Sequence, residues 1–284
     1  MDKQAINESI DKIIDNLSNM KDFLSEFKFQ QELHNAEDWP EAVPQRLICD
    51  MHSDVSKMER ARGTVERFVN KDLRDKTFLD FGCGDGHMAY YAAEQGVSMA
   101  VGYDIKISKD WTGFKNRNNF KLTTDWYEAL SHGPYDVIMC YDVIDHIVDK
   151  KPTLCLKKMH DALKEQGQIY LRAHPWVSRH ATHIYDRFNK AYAHLIYSED
   201  ELKRFVPDYK PEPNLEICYP LKTYLNYFKQ VGLRVVNARE HKEPVEPFFQ
   251  KEYVAKKIMK RLGVNKFPDF QMSLQFVDYV LEKA

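Results

Sequence analysis

Apolar residues recur along the chain with two rhythms, and the change from one to the other divides it. In residues 1–30 they fall at Ile6, Ile10, Ile13, Leu17, Met20, Leu24 and Phe27, with steps alternating between four and three. This is the stripe of a helix, and its heptad form suits either packing along a neighbouring surface or self-association. Glu37-Asp38-Trp39-Pro40 breaks the stripe, and Pro44 blocks an early restart. Residues 45–70 return to a helical pattern. From Lys76 onward the apolar residues gather into short runs instead, at 77–81, 98–103, 120–123, 135–141 and 168–173. Runs of this length bounded by polar or glycine turns predict buried strands. Helical stretches separate them at 87–95, closed by Gly96, and at 151–164, closed by the turn at 165–167.

Strands alternating with helices predict an α/β fold with a mostly parallel sheet covered on both faces. The alternation is interrupted at about 174–219, resumes with a helix at 221–231 and a strand at 233–238, and is interrupted again at 241–271. A final alternating run spans 274–281. The expected organisation is an N-terminal helical extension over residues 1–70 and a sheet domain over 71–284 that carries both insertions.

Composition narrows the class. With 43% hydrophobic and 30% charged residues the chain reads as an ordinary globular protein, and a net charge of −2 gives no global nucleic-acid footprint. No apolar run is long enough for a membrane span, and the polar N-terminus has no signal-peptide core. Five cysteines without a CxxC pair predict neither a disulfide framework nor a zinc knuckle, so a reducing cytoplasm is the expected location.

The most specific local signal is residues 79–89, LDFGCGDGHMA, where a strand runs into glycines at 82, 84 and 86. A dinucleotide fingerprint would space its glycines GxGxxG, and a P-loop would continue into Gly-Lys-Ser/Thr. Neither is present, and the carboxylates of Asp80 and Asp85 would repel a pyrophosphate. A cationic ligand carrying a nucleoside fits better. Asp104, at the end of the second strand, stands where an acid hydrogen-bonds ribose hydroxyls, and Asp125-Trp126 offers an acceptor and an apolar wall to a purine.

LDFGCGDGH, VGYDI, TTDW and YDVIMCYDVIDHI, in this order, resemble the nucleotide-binding motifs of class I S-adenosylmethionine-dependent methyltransferases. The resemblance covers about residues 76–175. It implies a Rossmann-like seven-stranded sheet whose last strand is antiparallel, with S-adenosyl-L-methionine as methyl donor and S-adenosyl-L-homocysteine as product. Carried over residue by residue, it implies that Asp80, Gly82, Cys83 and Gly84 line the methionine portion and that Asp104 holds the ribose. Ile105 then packs on adenine, Asp125 and Trp126 flank its edge, and Tyr141 contributes backbone beside the sulfonium.

For proton transfer the candidates are histidines. His146 follows the fourth strand at a position where family members often carry His. The segment after the fifth strand, RAHPWVSRHATHIYDRF, adds His174, His180 and His183, with Trp176, Arg179 and Tyr185 as candidate acceptor contacts. The spacing of those three histidines is not the i, i+4 pair of a helical zinc site, and no metal is expected. Tyr141-Asp142-Val143-Ile144 replaces the Asn/Asp/Ser-Pro-Pro-aromatic tetrad of amino-methylating nucleic-acid enzymes, which argues against DNA amino-methylation. A small-molecule or glycan-like acceptor methylated on O or N is the leading expectation. RNA is the alternative acceptor, because residues 251–261 (KEYVAKKIMKR) form a basic helical face. A further alternative is a cofactor-binding scaffold that forms a homo-oligomer through its N-terminal heptad helix.

Overall fold

The computed structural model describes residues 10, 12–21, 24, 28, 33, 35–44, 53–107, 114, 116–147, 151–181, 183–207 and 220–284. The chain divides into two compact units, residues 1–40 and residues 41–284. In the first unit residues 12–21 are helical, and Ile13, Leu17 and Met20 of the heptad stripe are exposed. Ile6 and Phe27 lie outside the described residues.

The second unit begins with helix α1 (Asp54–Phe68) and strand β1 (Thr77–Phe81), followed by α2 (His87–Glu94), β2 (Met99–Tyr103) and β3 (Phe120–Thr123). Next come α3 (Trp126–Ser131), β4 (Tyr135–Cys140), α4 (Lys151–Ala162) and β5 (Leu163–Ala173). The seven strands lie in the order β3-β2-β1-β4-β5-β7-β6, where β6 is Leu233–Lys242 and β7 is Leu274–Lys283. Pairs among β1 to β5 are parallel, whereas β7 runs antiparallel to both β5 and β6. This is the Rossmann-like sheet that the sequence motifs imply.

Both faces are covered because the inner strands are apolar on both sides. On one face Val65 and Val69 from the α1 region and Tyr91 and Ala92 of α2 pack with Phe78 and Met139. On the other, Ala129, Leu156 and Met159 join Tyr224 and Phe228 of α7 (Leu221–Gln230, with α5 and α6 described below) over Leu79, Ile138 and Leu171. Helix α1, grouped at the sequence level with the N-terminal extension, is thus part of the sheet unit's core.

Three strands run further than the apolar pattern predicts. Residues 165–167, read as a turn, lie within β5, which starts at Leu163 opposite Tyr135 and shifts register between Tyr135 and Val137. The glycine there is required by packing, since a Cβ on Gly167 would come within 2.8 Å of Tyr135 O and of the Leu163 side chain. Strands β6 and β7 extend each other through backbone hydrogen bonds, so Arg239–Lys242, although polar, remain in the ladder. Charged side chains along β6, the sheet edge, protect it from further pairing.

The first insertion contains α5 (Ala193–Ile196) and α6 (Glu199–Phe205), the latter started by a capping box between Ser198 and Glu201. Residues 208–219 lie outside the described residues. The second insertion contains α8 (Glu252–Leu262), which packs against α5, and α9 (Asp269–Ser273). Phe249, preceding α8, meets the Tyr192 ring at 4.8 Å between centroids. No helix among the described residues is long and apolar enough to cross a membrane.

Candidate active site

Parallel pairing aligns the carboxyl ends of the inner strands. Asp80 lies opposite Gly102 and Phe81 opposite Tyr103, which brings the turn after β1 beside the residues that follow β2. Strand order changes direction between β1 and β4, the place where open α/β sheets form a crevice.

The turn itself is a run of left-handed backbone, with φ of +79° at Gly82, +52° at Gly84 and +84° at Gly86. A side chain on Gly82 would put Cβ 2.5 Å from Val143, so the loop after β4 presses directly on this turn. A Cβ on Gly84 would meet nothing within 4 Å, and the open side of the turn is therefore here. Gly84 N–H donates to Asp104 Oδ2 at 2.8 Å, while Lys106 N–H reaches Asp104 Oδ1 at 3.3 Å. Asp80 is buried and accepts from the Ala89 N–H in the first turn of α2. Burial, only partly offset by that bond and reinforced by Asp104, pushes its carboxyl up to about 7.

The remaining cofactor-side residues are gathered around these. Asp125 caps α3 by accepting from Tyr127 N–H at 2.8 Å. Trp126 packs edge-on against Phe81 and Tyr103, and Lys158 Nζ lies 5.3 Å from the indole ring centroid. Ile105 is 87% exposed. Tyr141 stacks under the Arg172 guanidinium at 4.2 Å and contacts Phe68. Cys83 packs against Gly102, and burial holds its thiol far above the ordinary range, so it stays protonated. Asp85, the other carboxylate of the glycine turn, pairs with Lys57, and Gly86 starts α2 without a side-chain cap.

Beyond the strand ends the histidines converge. The loop after β4 carries Asp142, Asp145 and His146, and the segment after β5 folds back over it. Asp145 is buried, and its Oδ2 lies 3.0 Å from His174 Nδ1, 3.7 Å from His183 Nε2 and 3.9 Å from His146 Nε2. The rings of His146 and His183 are 4.5 Å apart, those of His174 and His180 5.1 Å. Burial alone would raise the Asp145 carboxyl, but the charge and hydrogen bond of His174, with His146 and His183 behind, hold it at about 2. Burial opposes charge on His174, yet Asp145 outweighs it and keeps the imidazole above its ordinary value. His183 goes the other way, lowered to about 4 by burial and by His146, and His180 is lowered well below its usual range by burial and by His174.

Of the candidate acceptor contacts, Tyr185 borders the cluster, 6.3 Å from the His183 ring and 6.4 Å from that of His180. Trp176 is turned toward α5, its carbonyl accepting from His194 at 2.7 Å. Arg179 is a strut between segments, bonded to Glu246 and to the Glu41 carbonyl. Sequence reading passed over Asp145, the centre of the cluster. Its only local signal is that it adjoins His146 in a run, Val143–Ile147, that follows a buried strand.

Residues 51–238 match the family described as "Methyltransferase domain". Ubiquinone biosynthesis O-methyltransferase of Neisseria meningitidis is 26% identical over 145 residues, which are 48% of this chain and 55% of that protein. tRNA U34 carboxymethyltransferase of Helicobacter pylori is 32% identical over 109 residues, 35% of this chain and 41% of that one. The chain thus spans about half the length, or less, of these curated relatives. Among solved structures, magnesium protoporphyrin IX methyltransferase of Synechocystis with bound SAH aligns with a TM-score of 0.48 at 12% identity, covering 94% of this chain and 99% of that one. A SAM dependent methyltransferase from Archaeoglobus fulgidus aligns with a TM-score of 0.48 at 16% identity, covering 80% and 94%.

Proposed function

The chain belongs to the methyltransferase-domain family, the class I S-adenosylmethionine-dependent enzymes of Rossmann-like fold, and we propose that it methylates O or N of a small-molecule or glycan-like acceptor. The observation that carries the cofactor side is the pair of carboxylates at adjacent strand ends. Asp80 and Asp104 flank an open glycine turn, and among the described residues no lysine or arginine pairs with either. Such a site suits a ligand that brings its own positive charge, as the ammonium and sulfonium of S-adenosylmethionine do. When bound, that cofactor supplies a methyl group activated by the sulfonium.

The chain's own residues then do the positioning. Asp104, fixed by Gly84 N–H, offers its carboxylate to two ribose hydroxyls. Ile105 and Trp126 offer apolar surface to the base, and Asp125 an acceptor to its edge. Val143, pressed on Gly82, sets the loop after β4 against the methionine portion. On the acceptor side Asp145 orients His174 through Nδ1, which leaves Nε2 as the atom able to take a proton from an acceptor hydroxyl or amine. Titration calorimetry with S-adenosylmethionine tests the assignment: absence of binding to the intact chain overturns it, and unchanged binding after Asp104→Ala removes Asp104 from the ribose site.

RNA as the acceptor is a second reading, favoured by one feature. A groove of about 650 Å³ beside Tyr141 is lined by Arg67, Lys71, Arg172 and Arg239 together with Phe68 and Phe276. Cations interleaved with aromatic rings suit a phosphate backbone with stacked bases, and one relative is named for tRNA. Affinity for bulk tRNA that falls steeply with salt supports this reading, and salt-insensitive or absent binding removes it.

A further inference from the structure

Asp145, His146 and His183 each present one ligand-competent atom to the others, and these atoms all lie within 4.8 Å of one another. The three come from two segments that the fold brings face to face, the short helical turn at Ile144–His146 and the stretch after β5. Ligands of a bound transition metal, at about 2.0–2.2 Å from the ion, stand about 3.0–3.5 Å apart. Asp145 Oδ2 is 3.7 Å from His183 Nε2 and 3.9 Å from His146 Nε2, so a side-chain contraction of a fraction of an ångström at these two contacts reaches that spacing.

Two buried polar atoms remain without a hydrogen-bond partner here. They are Asp145 Oδ1, on a side chain fully removed from solvent, and His183 Nε2. Leaving buried polar atoms unpaired is costly, and such atoms call for an explanation. His174 Nδ1 also lies 3.0 Å from Asp145 Oδ2, an outer partner of the kind that metal-binding groups usually carry. Both imidazoles can offer a neutral nitrogen lone pair, and His146 is the most open of the three, so the cluster is reachable from solvent.

We propose that Asp145, His146 and His183 form a binding site for a first-row divalent transition metal ion such as Zn²⁺. Two imidazoles and one carboxylate select such an ion over Mg²⁺ or Ca²⁺, which take oxygen ligands. Three protein ligands leave at least one coordination position open. The loop bearing two of the ligands also carries Val143 against Gly82, which sets the site near the glycine turn, where an open position could seat an acceptor oxygen. This use rests on the methyltransferase reading; the binding of the ion does not.

The test uses the full chain stripped with a chelator, titrated with Zn²⁺ by calorimetry and with Co²⁺ by visible absorption. The expected result is one equivalent bound, a rise in thermal unfolding temperature with Zn²⁺, and an affinity reduced more than about tenfold by His183→Ala and by His146→Ala. His146→Ala, at a half-exposed side chain, guards against a variant that fails to fold, and circular dichroism checks both. No saturable binding, or binding unchanged in both variants because ions collect on other histidines, overturns the site. S-adenosylhomocysteine binding is measured on the same metal-free protein. Zn²⁺ binding without it sinks the methyltransferase reading alone, and the converse sinks the metal site alone.

Discussion

The backbone N–H of Gly84 donates to Asp104 Oδ2 at 2.8 Å, tying the turn after β1 to the end of β2. The carboxylate is thereby fixed before any ligand arrives. Hydrogen bonds to a charged group contribute about 1.5–3 kcal/mol each. Asp104→Ala is expected to weaken S-adenosylhomocysteine binding about 10- to 100-fold with little change in unfolding temperature. Calorimetric titration of the two proteins side by side checks this, and equal affinity removes Asp104 from the ribose site.

Asp80 makes cofactor affinity depend on pH. Its carboxyl is raised to about 7 by burial, so it is largely neutral below that value and charged above. A cationic ligand binds the charged form better, and affinity should therefore rise with pH between about 6 and 8. Stability of the ligand-free protein runs in the opposite direction. The folded state holds a proton that the unfolded chain releases near pH 4, so stability falls as pH rises from about 4 to about 7. Asp80→Asn should flatten both profiles, as measured by calorimetry and urea denaturation across that range. A slope in affinity that survives the substitution belongs to another group.

The sheet and the family were legible because their motifs are written in short contiguous segments. Strand β1, its glycines and Asp80 sit within a few residues, Asp104 and Tyr141 directly follow a strand, and Asp125 is separated from the end of β3 by one residue. The histidine cluster was legible only in part. His146, His174, His180 and His183 could be named, but nothing local shows that Asp145 faces His183, because that contact depends on how the segment after β5 folds back. The expectation of no metal came from the histidine spacing within one segment, whereas the three ligand-competent groups are shared between two. The pairing of Arg179 was hidden for a similar reason: its partner Glu246 lies in the other insertion. The ends of β5, β6 and β7 were missed because backbone pairing continues through polar side chains that carry no apolar signal.

Gly82 and Val143 offer a test of how the two loops are coupled. A Cβ on Gly82 would stand 2.5 Å from both Val143 methyl groups, on a backbone with φ of +79° that side chains rarely adopt. Gly82→Ala is expected to lower both the unfolding temperature and cofactor affinity. Adding Val143→Ala relieves the steric part and leaves the backbone cost, of order 1–3 kcal/mol. Partial recovery in the double variant is the predicted outcome; no recovery would mean that Val143 does not set the loop's approach.

Replacing His174 or His180 by Gln should reduce turnover about 10²- to 10⁴-fold, the range for loss of a proton-transfer group. Cofactor affinity should change little, because neither side chain is among those that line the glycine turn. Turnover is read with a labelled methyl donor against a panel of metabolite and RNA fractions, which also narrows the acceptor. If both variants keep full activity, proton transfer uses neither of these two histidines.

Arg172 and Asp278 form a mostly buried two-pronged ion pair across β5 and β7, with bonds of 2.7 and 2.9 Å. The guanidinium also lies 3.5 Å from the Phe276 ring centroid and 4.2 Å from that of Tyr141, while His241 Nε2 donates to Asp278 Oδ2 at 2.8 Å. Arg172→Ala would leave the half of the carboxylate's pairing that Arg172 supplies unmet in a low-dielectric setting, with His241 and the cross-strand Arg239 as its remaining neighbours, and it would also strip the cover from Tyr141. Breaking one side of such a buried pair costs about 3–5 kcal/mol, whereas removing both charges for apolar groups is far better tolerated. The single variant is therefore expected to unfold at much lower urea, and Arg172→Leu combined with Asp278→Leu to recover most of the loss. Cofactor affinity separates a purely structural pair from one that also supports the site. Because Tyr141 follows β4 beside the glycine turn, the double variant should regain stability before it regains binding. Full return of both would confine the pair to holding β5 against β7.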